Sequence, residues 1–196
     1  MKMMPFLAPA LILFGLAGTA PVSAKEVDES LIEALRAGGK VVLLRHTDAE
    51  GGDPELSMRL TSPKDCAQEA NLTETGRLDA RRLGAWLGDE GIAVTAVFSG
   101  EFCRTLQTAE EVFGHSGEPW NALNLYDAMP ATESDFLMED VNDRITDFSG
   151  PGNLFLVTHR PNINHLTFVQ TEPGDMVVVE SDGFGGFNVL GLLPAR

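Results

Sequence analysis

Three short aliphatic runs constrain the fold more than any other feature of the sequence. They lie at Lys40–Arg45, Ala93–Phe98 and Asn153–Val157, and they are nearly continuous rather than alternating. Such runs are typical of strands that are buried on both faces of a parallel sheet. Helical patterns separate them, so the predicted order is strand, helix, strand, helix, strand, helix. Right-handed crossovers then give a three-layer α/β/α sandwich with a mainly parallel central sheet.

Capping and breaking residues mark the predicted helices. Thr73 is placed to cap a helix that runs to about Asp89, and Gly91 ends it. The other predicted helices are one opened by a capping box at Ser30 and stopped by Gly38-Gly39, and three more over residues 103–113, 134–148 and about 162–168. Residues 120–126 are predicted as a short strand, and two closing strands are predicted at residues 176–180 and 187–192.

The N-terminus differs from the rest of the chain. Lys2 precedes an apolar run at Phe6–Leu16, and Val22-Ser23-Ala24 has the small residues of a cleavage site. The run is shorter than the ~20 residues of a spanning helix, and Pro9 interrupts it. We therefore predict a secretory signal peptide at residues 1–24, a single domain at residues 25–196, and a periplasmic or secreted location.

The chain is strongly acidic. It has 14 Lys and Arg residues against 29 Asp and Glu residues, for a formal net charge of −15. This excess repels nucleic acid and anionic lipid head groups, so neither is predicted as a partner. No membrane insertion is expected after the signal peptide is removed, and the sequence does not define an oligomeric state.

The chain has two cysteines, Cys66 and Cys103. Export would place them in an oxidising compartment, so we predict a disulfide between them, with two buried thiols as the alternative. A cysteine nucleophile in a loop that ends in arginine is not favoured. The position six residues after each cysteine holds Leu72 or Ala109 where that chemistry needs an arginine.

Cationic and imidazole side chains follow the three aliphatic runs. Arg45-His46-Thr47 closes the first run, Arg104 follows the second, and His159-Arg160 follows the third. Because the carboxyl ends of parallel strands meet at one edge of a sheet, these residues are expected to converge. Guanidinium groups match phosphate oxygens, and an imidazole can act as a donor or a nucleophile. The sequence therefore predicts an anion pocket.

Four short motifs carry a resemblance to a known family. They are Arg45-His46-Thr47, Asn71-Leu72-Thr73 with Gly76, Ser99 with Arg104, and Val157-Thr158-His159. In this order they resemble the motifs of the histidine phosphatase superfamily, also called phosphoglycerate mutase-like, and of a small exported bacterial branch within it. The resemblance covers most of the chain after the leader. It implies a phosphoglycerate mutase-like fold and a phosphomonoester hydrolase of the histidine acid phosphatase type.

The resemblance also implies roles for the strand-end residues. His46 would be the nucleophile that forms a covalent phosphohistidine. Arg45, Arg104 and His159 would hold the phosphoryl oxygens and stabilise the charge that builds during transfer, with no metal or cofactor required. His46 must then be neutral, with one ring nitrogen held by a hydrogen bond that we expect from a backbone carbonyl.

A leaving alcohol needs a proton, and the family often takes it from an acid on a later loop. Asp127 is the first candidate and Glu133 the second, although some relatives have no such acid. Thr47, Asn71 and Arg160 are expected to bind the substrate. That substrate would be a phosphorylated small molecule or a phosphorylated surface component.

Departures from the family pattern keep other functions open. Gly100-Glu101 stands where the family often has Ser-Pro, and Arg160 stands where glycine is common. With the open question of the acid, these departures motivate a phosphate-binding pseudoenzyme as the alternative. A phosphomutase is less favoured, because export separates the protein from cytosolic intermediates. A metal site that joins the two strand-end histidines to Asp48 and His165 lacks the spacing of a helical zinc motif.

Overall fold

The structure is a computed structural model that describes residues 24–51, 57–62 and 64–196. The predicted signal peptide lies outside the described residues except for Ala24, which is the first residue of a helix. The signal peptide and the single-domain boundary at residue 25 therefore remain predictions. None of the helices in the described ranges is long and apolar enough to cross a membrane.

A mixed, mostly parallel sheet forms the centre of the molecule. Its strands are β1 Val41–Arg45, β2 Val94–Ser99, β3 Glu118–Pro119, β4 Asn153–Thr158, β5 Met176–Ser181 and β6 Phe187–Leu193. The spatial order is β3-β2-β4-β1-β5-β6. The first four strands of this order pair in parallel, while β5 pairs antiparallel with both β1 and β6. The three aliphatic runs of the sequence thus form the three central parallel strands, as predicted.

Helices and short turns connect the strands. The helices are α1 Ala24–Ala37, α2 Glu74–Asp89, α3 Cys103–Phe113, α4 Ala131–Thr146 and α5 Arg160–Thr167. Single 3-10 turns lie at Cys66–Gln68, Asn121–Leu123 and Tyr126–Ala128.

Two hydrophobic cores lie on opposite faces of the sheet. On β1, Val42 and Leu44 point into the core that contains residues of α1, α2 and α3, whereas Val41 and Leu43 point into the core that contains residues of α4 and α5. All four side chains are at most 1% exposed. This burial on both faces explains why β1 has no polar alternation. The three-layer α/β/α class predicted from the sequence is confirmed.

Several predicted boundaries were wrong. Helix α1 begins at Ala24, so Ser30 lies inside it and does not cap it; the preceding Lys25–Glu29 segment continues the helix. Residues 120–126 form 3-10 turns closed by bonds such as Asn124 N–H to the Asn121 carbonyl, at 3.0 Å, and the short strand lies just before them. Helix α5 begins at Arg160 because Pro161 fits the first helical turn, where no amide hydrogen is needed.

Helix α2 docks closely against the segment that follows β1. Thr73 caps the helix by accepting a hydrogen bond from the Gly76 amide at 3.0 Å. The Thr73 hydroxyl donates to Asp48 Oδ2 at 2.6 Å, and the Thr73 amide donates to the Asp48 carbonyl at 3.1 Å. A Cβ added at Gly76 would lie 1.9 Å from that carbonyl oxygen. Glycine is therefore required by space at this position.

Substitution of Gly76 tests this contact, and the same helix supplies a matched control. Gly76→Ala is expected to lower the free energy of unfolding by about 1–3 kcal/mol, because backbone must move to admit the methyl group. Gly88→Ala should be neutral or stabilising by up to about 1 kcal/mol, because a Cβ there meets nothing within 4 Å. Urea denaturation of the three proteins measures both changes, and equal stabilities would contradict the contact.

Candidate active site

The register of β1 against β4 brings the two strand-end histidines together. Arg45 pairs with Thr158 in this register, so His46 and His159 leave the same edge of the sheet on adjacent strands. The His46 amide donates to the Thr158 carbonyl at 3.0 Å. The two imidazole rings meet edge to face, with centroids 5.2 Å apart and planes inclined by 68°. The predicted convergence of these residues is thus present in the structure.

The His46 ring has a defined tautomer. Its Nδ1 lies 2.8 Å from the carbonyl oxygen of Thr47, and because a carbonyl can only accept, Nδ1 carries the hydrogen. Desolvation, and then the Arg104 guanidinium, lower the pKa of His46 to about 3. The ring is therefore neutral near pH 7, and its Nε2 has a free lone pair. This is the arrangement expected of a nucleophilic histidine.

Arg104 reaches the same site from the first turn of α3. Its side chain is buried, with the guanidinium carbon 4.5 Å from the ring centroid of Phe102. Phe102 also packs edge to face on His159, with ring centroids 5.2 Å apart. Burial lowers the pKa of Arg104 to about 10, so the guanidinium keeps its charge at neutral pH. Phe102 thus supports both Arg104 and His159, a role that the sequence did not reveal.

Glu69 is a second residue whose role the sequence pattern does not reveal. Its carboxylate is buried and accepts hydrogen bonds from the Cys103 amide at 2.9 Å, the Thr61 hydroxyl at 2.6 Å and Lys64 Nζ at 2.7 Å. Burial alone would raise the pKa of Glu69, but the bonds from Lys64 and Thr61 lower it below its ordinary value. Glu69 therefore supplies the N-terminal capping acceptor of α3, where Phe102 has no capping side chain. Its charge also favours the protonated form of Arg104.

The long segment after β1 is tied to α3 at further points. The predicted disulfide between Cys66 and Cys103 is present, with Cα atoms 5.6 Å apart. Asn71 donates to the Cys66 carbonyl at 2.7 Å and accepts from Gln107 Nε2 at 2.7 Å. The Leu72 amide donates to Gln107 Oε1 at 2.9 Å.

Two of the predicted substrate-binding residues face protein atoms instead of the cavity. Thr47 is 1% exposed, and its amide and hydroxyl lie 3.2 and 3.4 Å from the Thr108 hydroxyl. The Asn71 amide group is engaged by the Cys66 carbonyl and by Gln107, as described above. These two residues hold the loop and α3 in place. Arg160, the third predicted residue, does line the cavity.

Buried polar atoms point to an oxyanion as the species that fits between these side chains. Within the described ranges, both ring nitrogens of His159, Nη1 of Arg104 and Nε of Arg45 are buried and have no hydrogen-bond partner. Arg45 is held through Nη1, which donates to the Thr171 carbonyl. Burial, followed by the charge of Arg104, lowers the pKa of His159, so its ring is neutral and can donate one hydrogen bond. Buried donors of this kind normally have acceptors.

A cleft of about 340 Å³ opens over these groups. Its lining includes five basic side chains and two carboxylates: Arg45, His46, Arg104, His159, Arg160, Asp48 and Glu50. Asp127 lines an adjacent cavity of about 460 Å³, which shares Arg160 and Pro161 with the first. Glu133 is exposed in the first turn of α4 and is among the lining residues of neither cavity.

Other groups that the sequence raised lie apart from this cleft. His165 stacks on Tyr126, with ring centroids 4.7 Å apart, and lines the adjacent cavity. No three His, Cys, Asp or Glu side chains within the described ranges are grouped so that they could hold a metal ion. A larger cavity, of about 670 Å³, lies near the β2 edge of the sheet, but Arg144 covers the ring faces of Phe98 and Trp120 in its lining.

A known family matches the part of the chain that carries three of these residues. The model of the histidine phosphatase superfamily (branch 1) matches residues 41–125, which include Arg45, His46 and Arg104. Over this range the chain is similar to the histidine phosphatase superfamily. The second strand-end histidine, His159, lies beyond the matched range but joins the same site through β4. No curated protein sequence matches the chain.

Solved structures share the histidine phosphatase fold with this chain. The protein histidine phosphatase SixA complexed with tungstate has a TM-score of 0.57 and 19% identity, covering 80% of this chain and 97% of that one. YhfR of Bacillus stearothermophilus has a TM-score of 0.56 and 20% identity, with coverages of 76% and 94%. A mycobacterial glucosyl-3-phosphoglycerate phosphatase complexed with VO3 has a TM-score of 0.54 and 14% identity, with coverages of 81% and 100%. At these identities the likeness concerns the fold.

The depressed pKa of His46 predicts a specific effect of pH on stability. An unfolded histidine takes up a proton near pH 6.5, whereas His46 in the folded protein does so only near pH 3. Between these values the unfolded state binds more protons, so stability falls as pH is lowered. In His46→Gln, the free energy of unfolding should fall less between pH 7 and pH 4 than in the parent protein. Urea titrations at several pH values measure this slope.

His115→Gln is the matched control, because His115 is exposed and distant in sequence from the strand ends. Its free energy of unfolding should fall more between pH 7 and pH 4 than that of His46→Gln. A His46→Gln slope as steep as the parent's would contradict the neutral state assigned to His46.

Proposed function

We propose that the protein hydrolyses phosphomonoesters through a covalent phosphohistidine at His46, with no metal ion required. The observation that carries the proposal is the fixed tautomer of His46, which lines the same cleft as the buried guanidinium group of Arg104 and the half-buried one of Arg45. A neutral imidazole with its other nitrogen held is suited to attack phosphorus. Positioned cations are suited to stabilise the charge that spreads over the phosphoryl oxygens.

The proposed reaction has two steps. In the first, His46 Nε2 forms a bond to phosphorus while the ester P–O bond breaks, and an acid protonates the leaving oxygen. In the second, water attacks phosphorus and gives a proton to the carboxylate left by that acid, the P–N bond breaks, and inorganic phosphate and the neutral histidine are released. Arg45 and Arg104 hold the phosphoryl oxygens throughout, and His159 donates one hydrogen bond. The unpartnered donor atoms of these three residues support this assignment.

Relatives of the same fold support the choice of ligand. SixA is described as a protein histidine phosphatase and was solved with tungstate, and the mycobacterial phosphatase was solved with VO3. Both ligands are oxyanions that resemble a phosphoryl group in charge and shape. We extend this ligand class to the present chain because its cleft offers two arginines and a neutral histidine as donors.

We assign the general acid to Asp127. The carboxylate lines the cavity that adjoins the cleft at Arg160 and Pro161, where a leaving group directed away from His46 can reach it. Asp48 lines the His46 cleft itself, but its Oδ2 accepts a hydrogen bond from the Thr73 hydroxyl at 2.6 Å and is engaged with α2. Glu133 lines neither cavity.

A second function is favoured by the placement of Asp127 outside the His46 cleft. Without an acid at the leaving oxygen, the same donors would make a phosphate-binding module that does not turn over.

We also propose that the protein is exported, as the leader predicts. A disulfide between Cys66 and Cys103 is compatible with an oxidising compartment. The substrate would then be a phosphorylated small molecule or surface component outside the cytosol.

Replacement of His46 tests the hydrolase proposal. The mature protein should hydrolyse p-nitrophenyl phosphate, and His46→Ala should lower kcat/KM by at least about 10³-fold because the covalent step is lost. His115→Ala, the matched histidine control, should retain the parent rate. After a quench in alkaline denaturant, mass spectrometry should find one phosphoryl group on the peptide that contains residue 46 in the parent alone.

Equal turnover by His46→Ala would overturn the proposal. Tight binding of inorganic phosphate in calorimetry, with no turnover and no phosphorylated peptide, would select the binding module instead.

Loss of the acid should depend on the leaving group. Asp127→Asn is expected to lower kcat for benzyl phosphate by about 10²–10⁴-fold, because an alkoxide cannot leave without a proton. It should affect p-nitrophenyl phosphate far less, because p-nitrophenolate is a stable anion. Asp48→Asn and Glu133→Gln are the matched carboxylate variants. If either of them shows the selective loss in steady-state kinetics, the acid is assigned wrongly.

A further inference from the structure

The cavity that Asp127 lines lies next to the His46 cleft. It has a volume of about 460 Å³ and adjoins the His46 cleft, because Arg160 and Pro161 line both. The chain also passes from one to the other: Leu125 lines the cleft, and Tyr126 and Asp127 line the adjacent cavity. A phosphomonoester held at His46 therefore has a second, neighbouring volume beside the cleft that holds its phosphoryl group.

Aromatic rings form one wall of this cavity. The Tyr126 and His165 rings lie with centroids 4.7 Å apart and planes inclined by only 30°. Tyr126 is half-buried and His165 is exposed, so this pair keeps ring surface that a ligand can cover. Aromatic surfaces of this kind bind planar rings by offset or edge contacts.

The Tyr126 ring is held in position at both ends. Its hydroxyl donates a hydrogen bond to Asp135 Oδ1 at 2.6 Å. The backbone amide of Tyr126 donates a hydrogen bond to Asn162 Oδ1 at 3.1 Å. Asn162 is buried in α5, three residues after His159, and donates to the Asn124 carbonyl at 2.7 Å. The ring wall is thus attached to the same helix that follows the second active-site histidine, so its position relative to the phosphoryl site is fixed by the fold.

The side chains that line the His46 cleft differ in charge. The carboxylates of Asp48 and Glu50 repel an anionic ester. Arg160 attracts it and also lines the adjacent cavity, together with the ring pair and the polar side chain of Asn164. The charge of Arg160 favours an ester whose alcohol extends past Arg160 toward the rings.

We propose that this cavity is the leaving-group subsite and that the preferred substrates are phosphomonoesters of alcohols that carry a planar ring. The proposal rests on the proposed function. Tyr126 and His165 contact the ring, Asn164 and Arg160 contact its polar edge or linker, and Asp127 stands beside the ester oxygen. Tyr126 and His165 are thereby specificity residues that do not touch the transferred phosphoryl group.

A pair of esters tests the proposal without interference from leaving-group reactivity. Benzyl alcohol and n-butanol are both weakly acidic alcohols, so benzyl phosphate and n-butyl phosphate differ mainly in the ring. The parent protein should show a kcat/KM for benzyl phosphate that is about twofold to tenfold higher, the range expected for one aromatic contact. His165→Ala and Tyr126→Leu should bring this ratio close to one while the value for n-butyl phosphate stays within about twofold.

Phe136→Ala is the matched control, since Phe136 is a 72% exposed ring in α4 that lines neither cavity. It should keep the parent ratio. Inhibition by inorganic phosphate should be the same in all four proteins, which reports an intact phosphoryl site even if Tyr126→Leu is less stable.

A parent ratio of one, or a ratio that His165→Ala and Tyr126→Leu leave unchanged, would overturn the subsite. Failure of the proposed function looks different, because neither ester would be hydrolysed. In that case the affinities of the two intact esters, measured by calorimetry on the parent and His165→Ala, decide the subsite in the same way. A ring preference that His165→Ala abolishes supports it, and equal affinities reject it.

Discussion

The parallel pairing of β1 with β4 is the constraint on which the site depends. Register places Arg45 opposite Thr158, so the next residue of each strand is a histidine at the same edge of the sheet. A slip of one residue would turn every side chain of β1 to the other face and exchange its aliphatic residues between two cores that are packed for the present arrangement. The hydrophobic burial that fixes the sheet therefore also fixes the distance between His46 and His159. Stability and site geometry have the same cause.

Compensation of buried charge is the second requirement. Arg104 is buried in a protein that is otherwise strongly acidic, and burial alone disfavours its charged form. Glu69 offsets part of this cost from a distance and also accepts the Cys103 amide at the start of α3. Lys64 in turn neutralises Glu69. The site is thus supported by a chain of alternating charges that runs from the surface of the loop to the guanidinium.

Much of the fold and part of the site follow from sequence pattern. The central strands were predictable because burial on both faces leaves uninterrupted aliphatic runs, and strand ends converge by topology. Glu69 was not predictable, because an acid in an aperiodic loop resembles a solvated residue; its burial depends on Thr61, Lys64 and a remote amide. Thr47 and Asn71 stand in motifs, yet tertiary contacts with Thr108 and Gln107 turn them away from the cleft. The division between the two cavities depends on Arg160 and Pro161, whose placement only the folded helix defines.

The bridge between Cys66 and Cys103 joins residues 37 positions apart. In the chain-entropy account, closing a loop of this size removes conformational freedom from the denatured ensemble equivalent to about 4 kcal/mol. The closed loop contains α2 and β2, and the bond joins the segment before α2 directly to the first residue of α3. Oxidation of the two thiols thus lowers the conformational entropy that is lost on folding when the surroundings of Arg104 assemble. Assembly of the site is thereby coupled to the redox conditions under which the chain folds.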